Sequence, residues 1–234
     1  MIPLAVLGGA RHSAGLSIAR QPVQFYNLGD PASYPGTGNT VYDLSGAGDH
    51  ATVYGSPTYS ASGGYFQMGY KDSFGSLNEP YTTAFTATVV FYLDKYISGQ
   101  FGSSLIGSSV GIGSSGTRGS WVYVVSPGQL IVEAFNGTPT YTSASGVIGL
   151  NQWVAVTVAL QRGGASSVYI NRAKHTDLTS STENSAKKIT FGDLRPTRGL
   201  GIEGRISAGV VYDYLLSESE VLNNHDLLLN QVGA

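Results

Sequence analysis

Phe85-Thr-Ala-Thr-Val-Val-Phe-Tyr-Leu-Asp94 is the stretch that decides the fold, because Phe85, Ala87, Val89, Phe91 and Leu93 fall on one face of an extended chain. That face is expected to be core. Strict alternation further predicts that only one residue of each neighbouring pair is sensitive to polar replacement. Trp153-Val-Ala-Val-Thr-Val-Ala-Leu160 repeats the pattern, with Val154, Val156, Val158 and Leu160 together and the small Ala155, Thr157 and Ala159 opposite. It reads as a central strand. Gly163-Gly164 turns the chain and Ser167-Val-Tyr-Ile170 returns, which makes an antiparallel hairpin.

Outward from these strands, Gln129-Leu-Ile-Val-Glu-Ala-Phe135, the pair Asn136-Gly137 and Thr138–Thr142 give a second hairpin signal, since Asn-Gly tolerates the positive φ angles of a type I′ turn. Between Gly102 and Gly119 the chain is rich in Gly and Ser, which predicts a short strand near Leu105 and then a loop up to Trp121. Only the end changes period. Ile206–Tyr214 is strand-like, and Ser217-Glu-Ser-Glu220 is a capping box whose helix carries Val221, Leu222, Leu228 and Leu229 as an apolar stripe. A helix of about two to three turns is expected there. The fold class is therefore all-β: an antiparallel jelly-roll β-sandwich with a short C-terminal helix, in one domain over residues 24–234 behind an N-terminal arm, residues 1–23.

Composition agrees. Of 234 residues 41% are hydrophobic and only 12% charged, with 32 Gly and 15 Tyr, so turns and half-buried pleated surfaces dominate over charge-laced helices. A net charge of −2 and the lack of any basic run exclude a nucleic-acid footprint. With no cysteine there is neither disulfide nor thiolate metal site. The first ten residues lack the basic n-region of a secretory signal, and no apolar run reaches the ~18–20 residues that span a bilayer, so no signal peptide and no membrane partner are expected.

Two patterns imitate enzymes. Gly111-Ile-Gly-Ser-Ser-Gly116 matches a dinucleotide fingerprint and Gly107-Ser-Ser-Val-Gly111 a nucleophile elbow, but both need a strand-to-helix turn and here a strand follows. Glycoside hydrolysis needs two carboxylates flanking the bond; Glu133 and Asp213 are solitary and Glu218 with Glu220 belongs to the capping box. The chain is not expected to be an enzyme. His12, His50, His175 and His225 are scattered, so no metal or cofactor is expected. Calcium suits the loop oxygens of Asp43, Asp49, Asp72 and Asn78 better than zinc would, but turn formation accounts for these residues first. Tyr65, Tyr70, Trp121 and Tyr141 lie beside Gly/Ser-rich segments and are the candidate ligand-binding residues, because a ring face stacks on the apolar face of a sugar.

Phe25-Tyr-Asn-Leu-Gly-Asp-Pro-Ala-Ser-Tyr-Pro-Gly-Thr-Gly-Asn-Thr-Val-Tyr-Asp-Leu-Ser-Gly46, then Ala51-Thr-Val-Tyr-Gly-Ser-Pro-Thr-Tyr59 and Gly64-Tyr-Phe-Gln-Met68, resembles the opening of concanavalin A-like, laminin-G-like jelly-roll domains of bacteriophage structural proteins. Gly204-Arg-Ile-Ser207 through Leu216-Ser-Glu-Ser-Glu-Val221 is similar to the family's last strand and helix-starting end. Tyr214 departs from the basic residue often found before the closing Leu, and no legume-lectin metal loop aligns. The resemblance implies a virion protein, in capsid decoration or in a tail or fibre, synthesised in the host cytoplasm and oligomeric in the particle. Its partners would be other virion proteins, held through Ile2, Leu4, Val6 and Leu7 of the arm, and host-surface glycans. A free carbohydrate-binding lectin is the alternative, and a glycoside hydrolase ranks third.

Overall fold

The computed structural model describes residues 21–76, 83–98, 102–109, 118–133, 139–179, 188–192 and 200–234. They form two antiparallel sheets that face each other. The first contains β1 (Gln24–Asn27), β4 (Thr58–Ser60), β5 (Tyr65–Met68), β7 (Ala84–Lys95), β12 (Trp153–Gln161), β13 (Ala165–Ile170), β14 (Ala173–Thr179) and β16 (Glu203–Tyr212), in the order β14-β13-β12-β7-β16-β5-β4, with β1 also on β16. The second runs β11 (Pro139–Thr142), β10 (Gln129–Glu133), β9 (Arg118–Val125), β8 (Ser103–Ser109), β15 (Lys188–Gly192), β6 (Ser73–Gly75), β3 (Ala51–Tyr54) and β2 (Thr40–Val41). This is the all-β sandwich that the alternation demands.

The inner faces meet as expected. Phe85, Ala87, Val89, Phe91 and Leu93 of β7 and Val154, Val156, Val158 and Leu160 of β12 join Leu105, Val122, Val124, Leu130, Val132 and Phe191 of the other sheet in one buried core. Both long strands are interior, and β12 turns into β13 through Gly163 at φ +62°, a conformation that costs glycine nothing. Gly209 of β16 faces the opposite sheet, where a Cβ would lie 2.5 Å from the Phe191 ring; hydrogen alone fits.

Three expectations need correction. The outer face of β7 is not solvent-facing along Thr86, Thr88 and Val90, which are as buried as the inner residues. The cover is α1 (Glu218–Gln231), whose Val221, Leu228 and Leu229 pack with Leu216 on Val90, Ala155, Ala159, Val210 and Tyr212. Small side chains on β12 let the helix approach. Second, α1 has 14 residues, about four turns, since the polar residues that interrupt its apolar stripe find partners below it: Asn224 donates to the Tyr212 hydroxyl at 3.0 Å and His225 binds Thr157 at 2.7 Å. Third, β8 and β9 are longer than the Gly/Ser composition suggests, because β8 is paired on both sides, by β9 and β15, and Ser103 and Ser104 are fully buried. The Gly111–Gly116 motif, the Asn136-Gly137 turn and residues 1–20 lie outside the described residues.

At the helix start the Glu220 carboxylate accepts from the Ser217 amide and from its hydroxyl, both at 2.7 Å, which is the reach-back half of the expected capping box. Thr86 ties the preceding turn down by donating to the Tyr214 carbonyl at 2.8 Å and accepting from the Leu216 amide at 2.9 Å. Arg172, in the β13–β14 turn, closes the other end on Asp226, Asn230 and the Ala234 carbonyl.

Candidate functional site

The helix covers only part of the first sheet's outer face. Beyond it, strand register places Trp153 of β12 opposite Tyr92 of β7, Tyr92 opposite Arg205 of β16, and Arg205 opposite Gln67 of β5. Alternation sends all four side chains outward, since their neighbours Val154, Phe91, Leu93, Gly204, Ile206, Phe66 and Met68 are buried. The result is one transverse row over four strands, about 14 Å long at the usual strand spacing. Tyr65, two residues before Gln67, joins it diagonally.

The row is aromatic and polar at once. The Trp153 ring lies 5.6 Å from Tyr92 and 5.8 Å from Tyr65, inclined by 67° and 57°. The Arg205 guanidinium sits 4.2 Å from the Tyr92 centroid and 5.3 Å from that of Tyr65, a cation over two ring faces. Gln67 donates to Asp94 at 2.9 Å and to the Gly204 carbonyl at 3.0 Å, while its own oxygen accepts from Arg205 at 3.3 Å. Arg205 also faces Asp94 at 3.6 Å, and beside them Lys95 pairs with Glu203 at 3.1 Å. Two cations therefore match two anions on a face whose rings are half-buried.

The four candidate ligand-binding residues do not converge. Tyr65 belongs to the row. Tyr70 stands 46% exposed between β5 and β6 with the Lys71 ammonium 5.5 Å from its ring. Trp121 is withdrawn from solvent at 2% exposure on the outer side of the second sheet, its indole N–H donating to Ser104 at 2.7 Å and its ring 4.6 Å from Tyr123, so it offers no open stacking face. Tyr141 packs against the main core and His175, 5.8 Å away, where β11 meets β14; burial raises its hydroxyl's pKa. Ile2, Leu4, Val6 and Leu7 lie outside the described residues. Sequence reasoning missed Trp153, Tyr92 and Arg205. The available signal was the outward position of Trp153 and Tyr92 on strands whose inward faces were already assigned.

The loop carboxylates serve the backbone. Asp43 accepts from the amides of Phe25, Ser45 and Asp49 at 2.8, 2.9 and 3.2 Å and from the Ser45 hydroxyl at 2.6 Å, which fills both oxygens. Asp72 accepts from Ser56 and Gly69 amides at 2.8 and 2.7 Å. Asp49 accepts from Gln24 and Ser76, and its carbonyl from the Tyr26 hydroxyl at 2.6 Å. Burial first, then the charges of Asp49 and Asp43, push that phenol far above its usual range. Among the described residues no three His, Asp or Glu side chains gather into a metal-binding group, and Asn78 lies outside them.

No family model matches the chain, and no curated protein matches it in sequence. Solved structures do match in shape. The chain is similar to Trypanosoma rangeli sialidase in complex with sialic acid at 15% identity and TM-score 0.67, over 89% of this chain and 32% of that one. Domain 4 of AbnA, an extracellular arabinanase from Geobacillus stearothermophilus, in complex with arabinotriose, matches at 14% identity and TM-score 0.65, over 89% and 98%. The binding domain of botulinum neurotoxin serotype D/C matches at 18% identity and TM-score 0.63, over 89% and 52%. The chain thus spans about a third of the sialidase, and what these likenesses share with it is the β-sandwich fold.

Proposed function

We propose that this chain is a non-catalytic, lectin-like recognition domain that holds a glycan on the outer face of its first sheet. The observation that carries the reading is the Trp153–Tyr92–Arg205–Gln67 row with Tyr65 beside it: ring faces suit the apolar faces of sugar rings, and an amide and a guanidinium suit their hydroxyls. The arabinotriose complex of AbnA domain 4, which the chain matches over nearly that whole domain, supports a sugar ligand. Binding is favoured over hydrolysis because Asp94 and Glu203, carboxylates beside the row, are each engaged with a cation, whereas glycoside cleavage needs one carboxylic acid and one carboxylate across the bond. A glycan array tests recognition, and a reducing-sugar assay on the glycans bound tests catalysis. Binding without sugar release is the expected outcome; release would make the chain a hydrolase.

The biological setting we propose is a bacteriophage virion, with residues 1–20 as the attachment to neighbouring virion proteins and the sandwich, whose core starts at Val23, displayed toward host-surface glycans. The resemblance of Phe25–Gly46 and Gly204–Val221 to phage structural domains supports it. Mass spectrometry of purified particles should find the chain at stoichiometric level. Its recovery only from the lysate supernatant would leave the free lectin as the reading.

A further inference from the structure

We infer that the ligand of this face is a neutral, soluble oligosaccharide laid across the strands, rather than an acidic glycan or the flat surface of an insoluble polysaccharide. The inference rests on the glycan-binding reading and narrows it. Charge decides the first exclusion. Arg205 is the cation within the row, but it already faces Asp94 at 3.6 Å, gives its Nε–H to Gln67 and lies over the Tyr92 ring. An incoming carboxylate would have to approach that guanidinium beside Asp94, a like charge. The other cation, Lys95, is taken by Glu203 at 3.1 Å. With its cations and anions matched, the face offers a carboxylated sugar no net attraction, whereas hydroxyl groups can share the same donors and acceptors without displacing a charge.

Ring geometry decides the second. A planar polysaccharide surface needs coplanar rings, yet Trp153 is inclined by 67° to Tyr92 and by 57° to Tyr65. Such rings fit a chain that turns from one unit to the next. Gln67 at the end of the row and Trp153 at its start set the length of the site at about 14 Å, which a short oligosaccharide fills.

The test is calorimetric titration of the full chain with arabinotriose, a neutral glucose trisaccharide and sialyllactose, together with pull-down on crystalline cellulose. At least one neutral oligosaccharide should bind with an affinity that does not change from low to high salt, and sialyllactose and cellulose should not bind. Trp153→Ala should weaken binding about tenfold, the worth of one stacking ring, and Gln67→Ala, at a half-exposed position, provides a second variant if the first fails to fold. Tyr42→Ala, at an exposed ring outside the row, should bind as the parent does. Preference for sialyllactose, or capture by cellulose, overturns the inference and leaves the glycan reading standing. Neutral binding that survives both Trp153→Ala and Gln67→Ala moves the site elsewhere and overturns it too. If no glycan binds on a broad array, the glycan reading itself has failed and this inference with it.

Discussion

The imidazole of His225 is fully buried and uses both ring nitrogens. Nδ1 faces the Arg172 backbone amide at 3.0 Å and must accept, so the proton sits on Nε2 and is donated to Thr157, which continues to Thr88 at 2.7 Å. Protonating Nδ1 would destroy the first of these bonds. Burial, then the nearby Arg172 charge, lower the pKa from 6.5 to about 4 against a smaller opposing effect of Asp226. Between those values the unfolded chain binds the proton and the native one does not, so stability is intact above about pH 6.5, falls as the pH drops, and stops falling below about pH 4. The full loss is about 3 kcal/mol. Denaturant midpoints across this range test it, and a His225 ring that titrates near 6.5 by nuclear magnetic resonance would contradict it. A second residue acts through space alone. Gly209→Ala puts a methyl 2.5 Å from the buried Phe191 ring and should cost about 1–3 kcal/mol, read as a lowered Tm, though Gly209 touches no part of the row.

At the scale of elements, β7 shows what periodicity tells and what it leaves open. Its inner face was legible because alternation alone says which residues travel together. What covers the other face was not, since that depends on where α1 returns after β16. Phe91→Ala should cost about 3–5 kcal/mol through the cavity it leaves. Thr88→Val, which periodicity would call harmless, should cost about 1–3 kcal/mol by removing one link from the buried Thr88–Thr157–His225 chain. Equilibrium unfolding of both variants decides it: a neutral Thr88→Val would mean the helix does not hold this network closed. The same reasoning explains α1. Its Asn224-His225-Asp226 segment breaks the apolar stripe on paper, and Tyr212 and Thr157 from two strands and Arg172 from the β13–β14 turn supply its polar side chains with partners.

For the whole molecule, the sandwich could be read from local pattern, but the candidate site could not, because it is made by register. Trp153, Tyr92, Arg205 and Gln67 come from four strands with no common spacing, and only the order β12-β7-β16-β5 lines them up. Tyr65 was singled out for its Gly-rich surroundings and reaches the row; Trp121 was singled out for the same reason and is buried beside Tyr123. Neighbouring composition does not say which side of a sheet a ring takes. The proposed division between arm and sandwich yields a last expectation. The described core is built from Val23 onward: β1 is buried along its whole length, Phe25 lies under the helix-covered face, and Tyr26 enters the main core. Deleting residues 2–20 should therefore leave the Tm nearly unchanged and preserve glycan binding. Incorporation into particles should be lost, because Ile2, Leu4, Val6 and Leu7 are apolar groups that a partner surface would bury at about 25 cal/mol per Å². Thermal melts and particle mass spectrometry on the same truncated chain separate the roles: a truncated chain that fails to fold ties the segment to the sandwich, and one that still incorporates removes it as the anchor.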